Sequence, residues 1–135
     1  NIKELLKEEE IFGIKKYKTY KDFGEKINKL KENVIQNINK LKKDNKKIVG
    51  FGAPAKATTA LNFFGITNQI DWVIEDNKLK QDKFIPGVLI PIKNKKFLKD
   101  KNTLILVLAW NFFKKIKENN SNLNAVFVNI KDLEN

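Results

Sequence analysis

The stretch KIVGFGAPAK, residues 47–56, decides the fold. A short apolar run at 47–51 predicts a β-strand, and a turn with two glycines leads from it into a helix predicted over 54–64. The order G-x-G-x-x-A matches the dinucleotide-binding fingerprint, in which the glycines permit a tight turn and a close approach to phosphate. The helix N-terminus and Lys56 would attract an anion. The turn could equally bind nothing and only shape the chain.

The rest of the second half alternates apolar runs with helical segments. The run at 103–109 is the most apolar and predicts a central strand covered on both faces. Other strands are predicted over 70–74, 88–92 and 125–128, and a helix over 110–119. Strands that alternate with short helices are typical of α/β folds with right-handed crossovers. The sequence therefore predicts a three-layer, Rossmann-like α/β domain with a mostly parallel sheet of about four or five strands.

The first part of the chain is helical in pattern. Ile2–Glu10 predicts a short helix, and a long amphipathic helix follows, with Thr19 or Asp22 as its N-cap. Its apolar residues recur at the spacing of one helical face: Phe23, Ile27, Leu30, Val34, Ile38 and Leu41. We therefore divide the chain into a helical segment, 1–45, that packs on the domain or on a part further upstream, and a Rossmann-like domain, 46–135.

Composition and charge exclude several classes of function. The chain has no cysteine, which rules out disulfides and fits a cytoplasmic location. Its net charge is +11, yet it contains no arginine, and its lysines are spread from Lys3 to Lys131. Arginine makes most bidentate contacts with bases and phosphates. We therefore predict neither nucleic acid nor a membrane as partner, although a positive field favours small anionic ligands.

Residue types that carry catalysis are scarce. The chain has no histidine, and its one serine, Ser121, lies in a polar stretch. General acid–base catalysis most often uses histidine, and nucleophilic catalysis often uses serine or cysteine. The chain also lacks methionine, even at position 1. We expect a fragment or a processed product of a larger protein that is inactive alone, and we assign no catalytic and no metal-binding residue.

Polar residues follow the predicted strands at their carboxyl ends, where open α/β sheets bind ligands. Glu75 and Asp76 end the second strand, and an acid at that place usually accepts hydrogen bonds from ribose. A plain surface loop at 76–81, and a core role for Trp110 beside a helix-capping Asn111, remain alternatives. The predicted substrate-binding residues are Gly50, Gly52, Ala53, Pro54, Ala55, Lys56, Asp76, Asn77, Lys80, Gln81, Trp110 and Asn111.

Ordered motifs along nearly the whole chain resemble the C-terminal domain of the S-adenosylmethionine-dependent sugar C-methyltransferase family. The stretch 50–56, followed by LN at 61–62 and GI at 65–66, is similar to that family's GYGAPAKG…TLLN…GI signature. The later pairs and triplets resemble its ID…D.NP.KQG…PG..IPI…AWN pattern, at 70–71, 76–77, 80–81, 86–87, 90–92 and 109–111. Ala57, Lys78 and Asp82 depart from the family's glycine, proline and glycine. The last two departures put the shape of the loop after the second strand in doubt.

The resemblance implies more than the residues themselves establish. Members of this family are similar in having a zinc-binding N-terminal region, a central S-adenosylmethionine domain and this C-terminal domain. They methylate a carbon of a nucleotide-linked deoxy-ketosugar: a histidine of the central domain removes a proton beside the ketone, and the enolate attacks the methyl sulfonium. The resemblance thus implies a nucleotide-sugar substrate and the chain's own upstream methyltransferase domain as partners. S-adenosylmethionine, and any zinc, would be bound mainly outside this chain.

Two other readings stay open. The glycine turn, the DNKLK loop at 76–80 and PGVLIP at 86–91 also resemble the nucleotide-sugar-binding domains of bacterial sugar acyltransferases. That reading makes the chain a binding module without methyl transfer. A redox enzyme that uses NAD is the third reading, and it is weakened because the second half of a dinucleotide fold is missing.

Overall fold

The computed structural model describes residues 1–44, 47–99 and 102–135 as a sheet with helices on both faces. The helices are α1 (Ile2–Phe12), α2 (Tyr17–Lys43), α3 (Ala55–Phe64) and α4 (Phe113–Asn119). The strands are β1 (Lys47–Phe51), β2 (Trp72–Ile74), β3 (Lys83–Phe84), β4 (Pro91–Lys93), β5 (Thr103–Val107) and β6 (Val126–Asn129). Short 3₁₀ turns occupy Lys95–Phe97, Trp110–Phe112 and Ile130–Glu134. The predicted domain boundary at 45 and 46 lies outside the described residues.

The sheet has the order β3-β4-β2-β1-β5-β6. β1 pairs in parallel with both β2 and β5, and among the described strands the β3–β4 pair alone is antiparallel. The α/β class and the mostly parallel sheet are confirmed, and β1 lies directly beside β5. The described residues form six strands rather than four or five, because β3 lies in the polar stretch 75–85, which we interpret from the sequence as a loop. β3 has only two residues, both exposed, so it carries no apolar signal in the sequence.

The two faces of the sheet bury different side chains, because successive residues of a strand point to opposite sides. All of β5 is buried. Leu104 and Leu106 pack in the cluster under α2 and α3, while Ile105 and Val107 pack in the cluster that includes side chains of α4. A helix layer therefore lies on each side of the sheet, and the prediction of a central strand covered on both faces is confirmed.

α2 begins earlier than its predicted caps allow. Its N-cap is Lys16, without a side-chain capping bond, so the prediction of Thr19 or Asp22 as N-cap is wrong. The Thr19 hydroxyl instead donates to the carbonyl of Gly13 at 2.8 Å. Asp22 accepts a 2.7 Å hydrogen bond from Lys18 one turn earlier, and this contact raises the pKa of Lys18. Both side chains thus serve contacts with the preceding turn.

The apolar stripe of α2 is only partly covered by the domain. Val34 and Ile38 are fully buried, whereas Phe23, three turns earlier, is 62 % exposed. The covered half is tied to the end of the chain, since the amides of Asn33 and Asn37 donate to carbonyls of residues 133–135. The C-terminal half of α2 therefore packs on the sheet and on the end of the chain, while the division of the chain into two parts stays a prediction.

Asp82 adopts a left-handed backbone conformation at a position where the resemblance predicts glycine. Its φ is +58°, in the left-handed region that glycine adopts at least cost and that Asp tolerates better than most residues. Its N–H donates to the carbonyl of Ile92 at 2.9 Å. The loop after β2 therefore keeps a glycine-type turn in spite of the substitution.

Smaller differences concern element ends. The predicted strand over 70–74 begins only at Trp72, and that over 88–92 is shifted to Pro91–Lys93. The predicted helix over 110–119 opens as a 3₁₀ turn before α4. Within the described part of the chain, every helix is too short or too polar to cross a lipid bilayer.

Candidate functional site

A crevice of about 480 Å³ opens at the carboxyl ends of β1 and β5. This is the edge at which open parallel sheets bind ligands, because the loops that leave neighbouring strands meet there. Its lining contains three lysines and two acids. The lining residues are Phe51, Gly52, Ala53, Pro54, Glu75, Asp76, Lys80, Lys95, Ala109, Phe112, Lys115, Ile116, Asn119 and Asn120.

The two glycines of the fingerprint have different roles. Gly52 makes the turn, with φ +88°, and its N–H donates to the carbonyl of Ile74 at 2.8 Å. Gly50 lies within β1, where an added Cβ would come 2.9 Å from Val73 Cγ2. Gly52 therefore lines the crevice, while Gly50 gives the neighbouring strand room to pack.

Glu75 is the best connected side chain of the crevice. One carboxylate oxygen accepts from the N–H of Ala53 at 2.9 Å, and the other accepts from the N–H of Asn77 at 3.0 Å. The ammonium of Lys80 lies 3.9 Å from the first of these oxygens and donates to the carbonyl of Ala53 at 2.9 Å. The carboxylate thus links the glycine turn to the loop that follows β2.

The neighbouring acid, Asp76, also lines the crevice but is more exposed to solvent. Its side chain is 61 % exposed, against 15 % for Glu75, and it pairs with Lys95 at 3.7 Å. The sequence placed both acids at the end of the second strand but selected Asp76 as the ligand-binding one. The structure gives the inward position to Glu75.

The amides of the 76–81 loop shape the loop itself. Asn77 accepts from the N–H of Leu79 at 3.0 Å. Gln81 donates to the carbonyl of Glu75 at 2.7 Å and accepts from Asn94 at 3.3 Å. Neither of these two residues lies in the lining of the crevice, although Asp76 and Lys80 of the same loop do.

Lys56 and Trp110 meet beside the crevice. The ammonium of Lys56 lies 4.0 Å from the centre of the Trp110 ring, which is a cation–π distance. Both residues line an apolar groove between α2 and α3, and Phe63 lies in the same groove. Ala55 and Asn111 are exposed outside the crevice lining. The predicted site is therefore divided between the crevice and its neighbourhood.

Sequence reasoning missed two crevice lysines, Lys95 and Lys115. Lys95 follows β4, and Lys115 lies in the first turn of α4, which follows β5 after a 3₁₀ turn. The rule that ligands bind at the carboxyl ends of parallel strands could have pointed to both positions. These two lysines could not be distinguished from the many other lysines of the chain by the sequence alone.

Asn62 joins two motifs that are far apart in the sequence. Its side-chain N–H groups donate to the carbonyl of Pro86 at 2.9 Å and to that of Thr58 at 2.8 Å. The LN motif in α3 thus binds the PG turn at 86–87. This contact is structural, since neither motif lines the crevice.

A metal site is not formed by the described residues: none of their His, Cys, Asp and Glu side chains cluster in threes. Each oxygen of Glu75, the acid placed to receive ribose hydroxyls, accepts one backbone N–H group. The lining carries three lysines against two acids, a charge balance that disfavours the sulfonium cation of S-adenosylmethionine.

Comparisons with known proteins cover almost all of the chain. The family described as C-methyltransferase C-terminal domain matches residues 1–128. The C-methyltransferase NovU of Streptomyces niveus is 30% identical to the chain over 120 residues. The aligned part makes up 87% of this chain but 29% of NovU, so the chain spans less than a third of that relative's length.

Proposed function

The chain belongs to the C-methyltransferase C-terminal domain family, and on that premise we propose that it is the substrate-binding domain of an S-adenosylmethionine-dependent C-methyltransferase. Its substrate would be a nucleotide-linked deoxysugar, and the enzyme would work in the cytoplasm. The observation that carries the proposal is the lysine-lined crevice at the carboxyl ends of β1 and β5, to which the family motifs at 50–56, 76–81 and 109–111 contribute lining residues. The family match favours this function over the sugar acyltransferase module.

The chemistry of the crevice suits such a ligand. Lys95 and Lys115 offer positive charge to a diphosphate, since a compact ammonium binds phosphate as a point charge. Asn119 and Asn120 bring amides to the same lining; the amide of Asn120 donates to the carbonyl of Ile116, while Asn119 can serve a sugar hydroxyl. Phe112 adds an apolar surface against which a flat ring can pack.

This chain would bind and orient the substrate and would leave the chemical step to another part of the enzyme. It contains no histidine and no cysteine, the types most used for proton transfer and nucleophilic attack. We assign the base and the cofactor site to an upstream domain of the full-length enzyme. Holding the ketosugar at the right distance from that domain is a large part of catalysis, because fixed orientation removes the entropic cost of encounter.

Charge reversal at one crevice lysine tests the proposal. In the full-length enzyme, Lys115→Glu should raise the KM for the nucleotide sugar about tenfold, because one favourable charge becomes a repulsive one. The KM for S-adenosylmethionine should stay within about twofold. The matched control is Lys117→Glu, which makes the same change on the same helix outside the crevice lining.

Steady-state kinetics, with the concentrations of both substrates varied, distinguish an effect of charge in the crevice from an effect of the protein's net charge. The proposal requires that only Lys115→Glu changes the KM for the sugar. Equal effects of the two variants would show that the net charge of the protein matters and that the crevice does not.

A further inference from the structure

We propose that Glu75 and Lys80 are positioning residues that act as one unit, the Glu75–Lys80 brace, which fixes the glycine turn at 50–56 against the loop at 76–81. The brace would set the shape of the crevice without binding the ligand's phosphates. This inference rests on the proposed function, and it assigns to the fingerprint turn a different role from that of a phosphate cradle.

The first argument is the set of contacts at the turn. The peptide groups on both sides of Ala53 are held from the loop: its N–H by the Glu75 carboxylate and its carbonyl by the Lys80 ammonium, each at 2.9 Å. The two charged groups lie 3.9 Å apart. The brace therefore fixes one residue of the turn by its donor and its acceptor together.

The second argument concerns the phosphate position. In a nucleotide-binding turn of this type, backbone N–H groups and the positive end of the helix face the phosphate. Here the N–H of Ala53 is taken by a carboxylate that is only 15 % exposed. A phosphate brought to the same place would meet a like charge at close range, which is strongly unfavourable in a partly buried site.

The third argument is the distribution of the remaining charge. Lys95 and Lys115 lie in the lining of the same crevice, and Lys95 pairs with the exposed Asp76. The crevice can thus receive an anionic ligand at these lysines, while the brace keeps the turn in place. The position of a ligand that lies between these lysines and the glycine turn depends on where the turn is held. A displacement of the turn by about 1 Å can lower the reaction rate by a factor of 10².

Hydrogen exchange measures the brace directly, without any activity assay. In the full-length enzyme, Glu75→Ala should speed amide exchange in peptides that cover Ala53 and Asn77 by about tenfold, because both N–H groups lose their acceptor. Glu75→Gln keeps the size and one acceptor oxygen, and should give an intermediate rate. Unchanged exchange in Glu75→Ala would overturn the brace.

A double-mutant cycle tests whether the brace positions the substrate. Glu75→Ala and Lys80→Ala should each raise the KM for the nucleotide sugar about tenfold, and the double variant should raise it little more than either alone. The KM for S-adenosylmethionine should stay unchanged in all three variants. If the two effects multiply instead, Lys80 binds the ligand independently, and the proposal that the pair acts as one unit is wrong.

The Lys42–Asp71 ion pair provides the matched control. Its ammonium and carboxylate are 3.1 Å apart and partly exposed. Asp71 directly precedes β2, at the end of that strand opposite to Glu75. Lys42→Ala and Asp71→Ala should leave both exchange at 50–56 and the KM for the sugar unchanged. If wild-type enzyme methylates no nucleotide-linked ketosugar, the proposed function fails, whereas the exchange rates still decide whether the brace exists.

Discussion

Gly87 shows, at the scale of one residue, how a motif position can matter without touching a ligand. Its φ is +83°, and an added Cβ would overlap the side-chain oxygen of Asn62. Asn62 in turn holds the carbonyl of Pro86. The PG turn is therefore closed against α3 in a way that only glycine permits.

Two glycine-to-alanine changes should have opposite signs. Gly87→Ala should lower the free energy of unfolding by about 1–3 kcal/mol, because alanine is strained at positive φ and Asn62 must move. Gly24→Ala should raise it by about 0.5–1 kcal/mol, since Gly24 lies inside α2 with open space around its Cα. Urea unfolding of both variants measures the difference, and a stabilised Gly87→Ala would contradict the account of the turn.

Glu75 and Asp76 show how much of the candidate site could be predicted from the sequence. The sequence placed Glu75 and Asp76 together at the end of a strand, at the correct edge of the sheet. Which of them points inward depends on how the chain leaves β2, and a shift of one residue exchanges the two sides. That choice is made by the N–H groups of Ala53 and Asn77, which are neighbours of Glu75 only after folding.

At the scale of elements, α2 combines a buried half with an exposed half on one continuous stripe. Val34 and Ile38 are fully buried, and Phe23 is 62 % exposed. The periodicity of the sequence correctly predicted the stripe, because it depends only on local spacing. It could not predict which half is buried, since that depends on where α3 and the C-terminal 3₁₀ turn pack against α2 in the folded chain.

Truncations along the stripe should follow this division. Ile38→Ala should cost about 2–5 kcal/mol of unfolding free energy, because it leaves a cavity in the core. Phe23→Ala should change the stability of the isolated chain by less than about 0.5 kcal/mol, as for most exposed positions. Thermal or urea unfolding tests both, and a large loss for Phe23→Ala would mean that the N-terminal half of α2 packs on the domain.

Strand prediction succeeded where burial was strong. The runs that became β1 and β5 are apolar because both faces of the central sheet are covered. β3 escaped prediction because two exposed residues at a sheet edge need no apolar side chains. The start of α2 escaped it because Lys16 is not a typical capping residue.

At the scale of the whole molecule, the chain is a Rossmann-like domain that covers 29% of a C-methyltransferase relative. The Rossmann-like fold could be predicted from the sequence. Motifs spread from residue 50 to residue 111 fixed the family. The proposed division of the crevice into bracing and ligand-binding groups rests on contacts that exist only in the folded chain.

The central claim is that this chain supplies part of the nucleotide-sugar site and not the cofactor site. The most direct test is a titration of the ¹⁵N-labelled chain, first with thymidine diphosphate and then with S-adenosylmethionine, followed by amide chemical shifts. Thymidine diphosphate should bind weakly, near 1 mM or about −4 kcal/mol, because half of the site lies elsewhere. Its shifts should centre on residues 52–54, 75–80 and 109–116, and S-adenosylmethionine should give none at micromolar concentration. Nucleotide shifts confined to the opposite edge of the sheet, or micromolar binding of S-adenosylmethionine, would contradict the account.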